Sequence, residues 1–215
     1  MIVIGVIGIA LPFVLAIGAN VIYIAFNYPP GVEGPLASSI SGYYYSSMGN
    51  VFVGGLCAIG VCLGAYCGYE YKDRIAGNFA SVFALGVALF PTEPEVATTK
   101  AQEYIGFFHY IFAGALFLTL AYFCLALFTM THAKGEPAPK KITPEKKKEN
   151  MVYQISGWTI LVCIALIGIH HFVLPNVTQI ALKWLYPVYW LEAIAVVSFG
   201  FSWLTKSKTV FGENK

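Results

Sequence analysis

The residues able to do chemistry in this chain are few: three histidines and one carboxylate set inside or at the ends of apolar runs, His109, His170, His171 and Glu192. Imidazole and carboxylate are the donors of catalytic zinc, which takes three protein ligands and keeps an open position for water activated near pH 7. His109, His170 and His171 are therefore the metal candidates, and a zinc-dependent, membrane-embedded hydrolase of lipid amides or esters is one function they would serve. Neither an HxxxH nor an HExxH pair occurs, and consecutive histidines point about 100° apart on a helix, which strains a three-histidine site. His109 and His170, at matching depth on antiparallel helices, could instead be axial ligands of a haem in an electron carrier. A second haem would need a second pair, and His132 has no counterpart. Glu192 is the deepest of these groups. A carboxyl in mid-membrane must pair, accept hydrogen bonds or take up a proton, so it also suits a proton- or cation-coupled transporter or channel. No inverted repeat accompanies it.

The elements that position these groups follow from composition. Of 215 residues, 58% are hydrophobic and 11% charged, against about 25% charged in soluble domains. Six stretches approach the roughly 20 apolar residues that cross a bilayer: 2–27, 50–70, 75–91, 104–130, 153–174 and 184–204. The expected fold is all-α, a single polytopic membrane domain over 1–215 built as a six-transmembrane-helix bundle. The first stretch has no basic segment before it and is too long for a signal-peptide core, so it reads as a true span.

With a cytoplasmic N-terminus, Lys72, Arg74, Lys134, Lys140, Lys141, Lys146, Lys147, Lys148, Lys206, Lys208 and Lys215 fall inside and only Lys100 and Lys183 outside. Cytoplasmic loops accumulate basic residues, so both termini are expected in the cytoplasm, in a bacterial inner membrane. The segment 131–151, with Pro137, Pro139, Pro144 and a run of lysines, reads as a flexible basic cytoplasmic loop. Nothing points to nucleic acid. The five cysteines lie in apolar runs and suggest no disulfide framework. Gly60, Gly64 and Gly68 recur every four residues, a stripe that lets helices approach closely within the chain, or between two copies in a homo-oligomer. Trp184, Tyr186, Tyr189, Trp190 and Trp203 read as interfacial anchors. Asn176-Val-Thr178 fits the glycosylation pattern by chance.

In this orientation the polar residues collect on the outside. His109, His170 and His171 share the outer level, with Asn20 in the outer half of the first span. The loop before the second span brings Glu33, Ser38, Ser39, Ser41, Tyr43, Tyr44 and Tyr45, and the next outer loop Thr92, Glu93 and Glu95. A connection of more than twenty residues is long for a bundle and suits a lid or binding loop. An outward-facing polar pocket is expected, built from Glu33, Ser41, Tyr43, Tyr44, Asn50, His109 and Glu192 and engaging lipid headgroups. Membrane lipids are the expected partners, with a membrane protein or a second copy also open. Cofactors are left open, zinc and haem being the alternatives.

Residues 38–128 carry a resemblance. Ser39-Ile40-Ser41-Gly42-Tyr43-Tyr44, Phe52-Val53-Gly54, Asn78, Ala84-Leu85-Gly86, Phe90-Pro91-Thr92, His109-Tyr110 and Gly114-Ala115 together resemble the DRAM/Frag/Sfk superfamily of six-span proteins, which includes small bacterial multi-pass proteins. The resemblance implies lipid-linked work at the outer or lumenal leaflet: remodelling of lipid anchors, control of lipid asymmetry, or regulation. Gly42 stands where such proteins often carry an acidic residue, so no reaction needing that carboxylate is implied.

Overall fold

A computed structural model describes residues 2–27, 35–68, 70–94, 99–131 and 142–207. Among them the chain is all-helical, with no strand: α1 (Ile2–Phe26), α2 (Gly49–Gly64), α3 (Tyr71–Leu89), α4 (Lys100–Tyr122), α5 (Pro144–Phe172), α6 (Asn176–Leu182) and α7 (Pro187–Lys206). Four helical stretches are long and apolar enough to cross a membrane: Ile2–Phe26, Lys100–Leu127, Pro144–Phe172 and Pro187–Lys206. The other two expected spans are weaker. α2 has 16 residues, about 24 Å of helix against a hydrocarbon core of about 30 Å. α3 reaches 19 residues but holds Lys72, Asp73 and Arg74 in its first turn.

Local chemistry moves several boundaries from those expected. The stretch 50–70 stops being helical at Gly64, because Asp73 Oδ2 accepts the Glu70 amide at 2.8 Å and starts a new helix there. Gly68 therefore leaves the glycine stripe and lies against the Asp73 side chain instead. The basic loop 131–151 is helical from Pro144 onward, so its last third is not a flexible tether. Thr143 caps that helix by accepting the Lys146 amide at 3.2 Å, and Pro144 sits at the first helical position, where its missing N–H costs nothing. The proline that reads as a breaker is a starter. The expected span 184–204 begins at Pro187, since Tyr186 is left-handed (φ 49°) and ends a 3₁₀ turn over Lys183–Leu185 that follows the short α6. α4 begins early, at Lys100, under a Thr99–Gln102 capping box, and continues into one π turn at Phe123–Leu127.

The helices form a circuit of neighbours: α1 packs on α2, α2 on α3, α3 on α4, α4 on α5, α5 on α7 and α7 back on α1. Small residues set the close approaches. A Cβ on Gly64 would meet Ser81 Oγ at 2.9 Å and one on Gly60 would meet Leu85 at 3.2 Å, so α2 spends this stripe on α3 within the chain. Gly77 answers from α3, where a Cβ would lie 2.7 Å from the Leu63 carbonyl oxygen. α1 and α7 cross in the same way: a Cβ on Gly200 would lie 2.9 Å from the Gly5 carbonyl. In lipid, such backbone proximity supplies the dispersion contacts that the hydrophobic effect does not.

One end of the circuit, which carries the start of α1 and the end of α7, is filled by aromatic rings. Trp203 is fully buried, with ring centroids of Tyr66, Phe128 and Phe199 at 5.0, 5.3 and 5.4 Å. The π turn serves this packing, setting Phe123 and Phe128 against the same indole. Trp203 is thus a core residue and not an interfacial anchor. We expect Gly77→Ala to destabilise the protein by about 1–3 kcal/mol, because the opposing atom is backbone and cannot step aside. Gly114→Ala, with nothing within 4 Å of its added Cβ, should be neutral or stabilising; thermal unfolding in detergent compares the two.

Candidate functional site

At the opposite end, residues 35–48 fold down over the circuit as a plug. Its centre is a 3₁₀ turn, Ser41–Tyr45, held by its own short polar side chains. Ser39 Oγ accepts the Gly42 amide at 2.9 Å, and Ser46 Oγ donates to the Tyr43 carbonyl at 2.7 Å while accepting the Met48 amide at 3.0 Å. Four ties fasten the plug to the helices. Asn20 Nδ2 on α1 donates to the Pro35 carbonyl at 2.8 Å. Tyr45 Oη donates to the Thr92 carbonyl at 2.7 Å, beyond the end of α3. Met48 lies over Gly18, where a Cβ would strike its sulfur at 2.7 Å. The fourth is the carboxylate: Glu192 Oε2 on α7 accepts the Ile40 amide at 2.6 Å, with the Ser41 backbone close enough to add a second bond.

Tyr43 is wholly buried, its ring edge-on to Tyr189 at 6.2 Å. Its hydroxyl accepts the Ala37 amide at 3.3 Å, and burial raises its pKa above the ordinary phenol value. Tyr189 is also buried and donates to the Pro12 carbonyl at 2.9 Å. It is a strut between α7 and α1, not the interfacial anchor its position in the sequence suggests.

Beneath the plug lies a cavity of about 70 Å³. Ser41, His109 and Glu192 mark its polar end, and Leu11, Leu56, Leu116, Phe117, Val196 and Phe199 supply apolar wall. His109 is 2% exposed and places Nδ1 2.7 Å from the Phe90 carbonyl. A carbonyl only accepts, so Nδ1 carries the proton. Among the polar residues expected to form one pocket, the fold brings Ser41, His109 and Glu192 to the cavity. Tyr43 and Tyr44 belong to the plug, Tyr44 edge-on to Tyr45 at 5.1 Å. Asn50 is exposed in the first turn of α2, and Glu33 lies outside the described residues.

The histidines do not converge. His171 is exposed with its ring 4.9 Å from Tyr110, whereas His109 is 2% exposed in the interior. Among the described residues no three His, Cys, Asp or Glu side chains are placed to share a metal ion. His109 is the one histidine among the residues that line the cavity, so no second axial ligand faces it there.

The backbone amides of Ile40 and Ser41 and the Pro12 carbonyl are the site groups that side-chain types do not announce. Pro12 is the one signal: a proline inside a helix removes an amide and marks irregular backbone. Protein-family models, curated proteins and solved structures give no significant match to the chain.

Removing the carboxylate should loosen the plug. Loss of a hydrogen bond to a charged or buried partner costs about 1–3 kcal/mol, so Glu192→Ala should speed amide exchange at Ile40 and Ser41 about 5- to 150-fold. Glu192→Gln, which keeps an accepting oxygen, should change it far less; hydrogen exchange read by mass spectrometry on peptides covering 35–48 reports the difference.

Proposed function

We propose that this is a six-span integral membrane protein of a bacterial inner membrane, with both termini in the cytoplasm, that engages a lipid-like amphiphile from the outer leaflet beneath the 35–48 plug. α2 and α3 then cross as a closely packed hairpin, their Gly60, Gly64 and Gly77 contacts satisfying the demand that membrane-buried helices pack without gaps. The orientation rests on the lysine distribution: the plug end carries Lys100 and Lys183, and the end with Trp203 carries Lys72, Arg74, Lys146, Lys147, Lys148 and Lys206.

The observation that carries the lipid reading is the polarity of the cavity. Its hydrogen-bonding groups, Glu192, His109 and Ser41, sit at the plug end, and its remaining wall is apolar. That is the polarity of a single leaflet, headgroup outward and hydrocarbon inward. Below these three the cavity wall offers no further ionisable or hydroxyl side chain, running instead through Leu116, Leu120, Val196 and Phe199. The plug is bonded to Glu192 through the Ile40 amide, so a headgroup reaches this carboxylate when the plug lifts from it. The glutamate serves as latch when closed and as headgroup partner when open, and no covalent step is required of it.

Mass spectrometry of lipids extracted from the detergent-purified protein tests this. Wild type should retain a near-stoichiometric amphiphile, and Val196→Trp, which fills the cavity wall below Glu192, should lose it by about ten-fold with the fold intact by circular dichroism. A wild type free of lipid, or equal retention by the variant, overturns the reading.

A further inference from the structure

A second recess lies outside the circuit, on the membrane-facing side of α3 and α4 and away from the plug. It is an open groove of about 520 Å³, far larger than the central cavity. Lys72 and Tyr122 stand at its mouth, at the start of α3 and the end of α4; Ile75, Phe79, Phe83 and Leu118 line its length, over a floor of Ala76 and Thr119. The two small floor residues are what hollow it. Phe83, tilted against Phe112 at 6.5 Å, closes the deep end.

From Lys72 to Phe83 is eleven residues, about 16 Å at 1.5 Å per residue. One leaflet of a 30 Å hydrocarbon core is about 15 Å. The groove therefore runs from one interface to the bilayer midplane, the reach of one acyl chain. Charge decides which lipid. Lys72 is exposed and makes no ion pair among the described residues, while Asp73 beside it is buried, its carboxylate spent on the Glu70 amide. The Glu70 carboxylate is likewise engaged, accepting the Asp73 amide in the capping box that opens α3, so Lys72 is the exposed charge at the mouth.

We propose that the α3–α4 groove is a binding site for an anionic phospholipid of the cytoplasmic leaflet, an acyl chain lying along Ile75, Phe79 and Phe83 and the phosphate meeting the Lys72 ammonium. The site rests on the six-span orientation proposed above but is independent of the central cavity, which opens to the other face. A lysine near an anionic surface contributes about five-fold in affinity. The apolar trough supplies affinity for the chain, and the lysine supplies preference among headgroups.

Native mass spectrometry of the detergent-solubilised protein, with phosphatidylglycerol or phosphatidylcholine added, reads this out. Wild type should retain phosphatidylglycerol over phosphatidylcholine by at least about five-fold. Lys72→Glu should abolish that preference, Lys72→Arg should keep it, and Thr119→Trp, which fills the floor, should lower retention of both lipids. Glu192→Ala should leave the preference unchanged. If Lys72→Glu prefers phosphatidylglycerol as wild type does, or if the preference is lost in Glu192→Ala instead, the bound lipid is not in this groove and the inference fails. Lys72 is at the surface, so its substitutions do not threaten folding, and a melting curve confirms this for Thr119→Trp.

Discussion

A carboxyl group set among apolar helices has to find hydrogen-bond donors, and in this protein it finds them on a loop. Glu192 reaches across from α7 to the Ile40 amide at 2.6 Å. α7 alone offers it nothing, because its own amides are committed to the helix. The partner must be irregular backbone with unspent N–H groups, which are costly to bury unpaired. Plug and carboxylate solve each other's problem: the 3₁₀ turn has free amides and Glu192 has free lone pairs. The descent of residues 35–48 into the bundle mouth and the closure of the cavity both follow from that exchange.

The remaining architecture keeps α7 where this contact is possible. Tyr189, one turn before Glu192, bonds to the Pro12 carbonyl, and Gly200 lets α7 meet α1 backbone to backbone. Below, Trp203 in its aromatic cluster fixes the other end of the same helix. α7 is pinned at three heights. A shift of about an ångström at any of them would lengthen the Glu192 bond beyond useful range.

Helical class and apolar character were legible because they depend on composition and run length. Glu192 and His109 stood out because ionisable groups are rare in apolar runs, and the fold does bring both to one cavity. Pro144 misled because proline both breaks helices and starts them, and only the Thr143 cap distinguishes the two uses. Trp203 and Tyr189 misled because aromatic residues near a span end suit an interface and a core equally well. His170 and His171 form no three-ligand group with His109 among the described residues, since adjacent residues on a helix point in different directions. The plug's amides could not be read at all, since every residue carries one and only the fold decides which are unspent.

The face on which Lys72 and the α2–α3 link lie depends on whether α2 and α3 cross the membrane as a hairpin, and Cys67, exposed in that link, reports on this directly. The measurement is labelling of Cys67 by a membrane-impermeant thiol reagent in intact cells and after permeabilisation, with Cys67→Ser as the blank. Six crossings put Cys67 in the cytoplasm, so no labelling in intact cells and full labelling after permeabilisation is the predicted result. Labelling of Cys67 from outside intact cells would put the α2–α3 link on the outer side, which six crossings from a cytoplasmic N-terminus forbid, and would contradict the account.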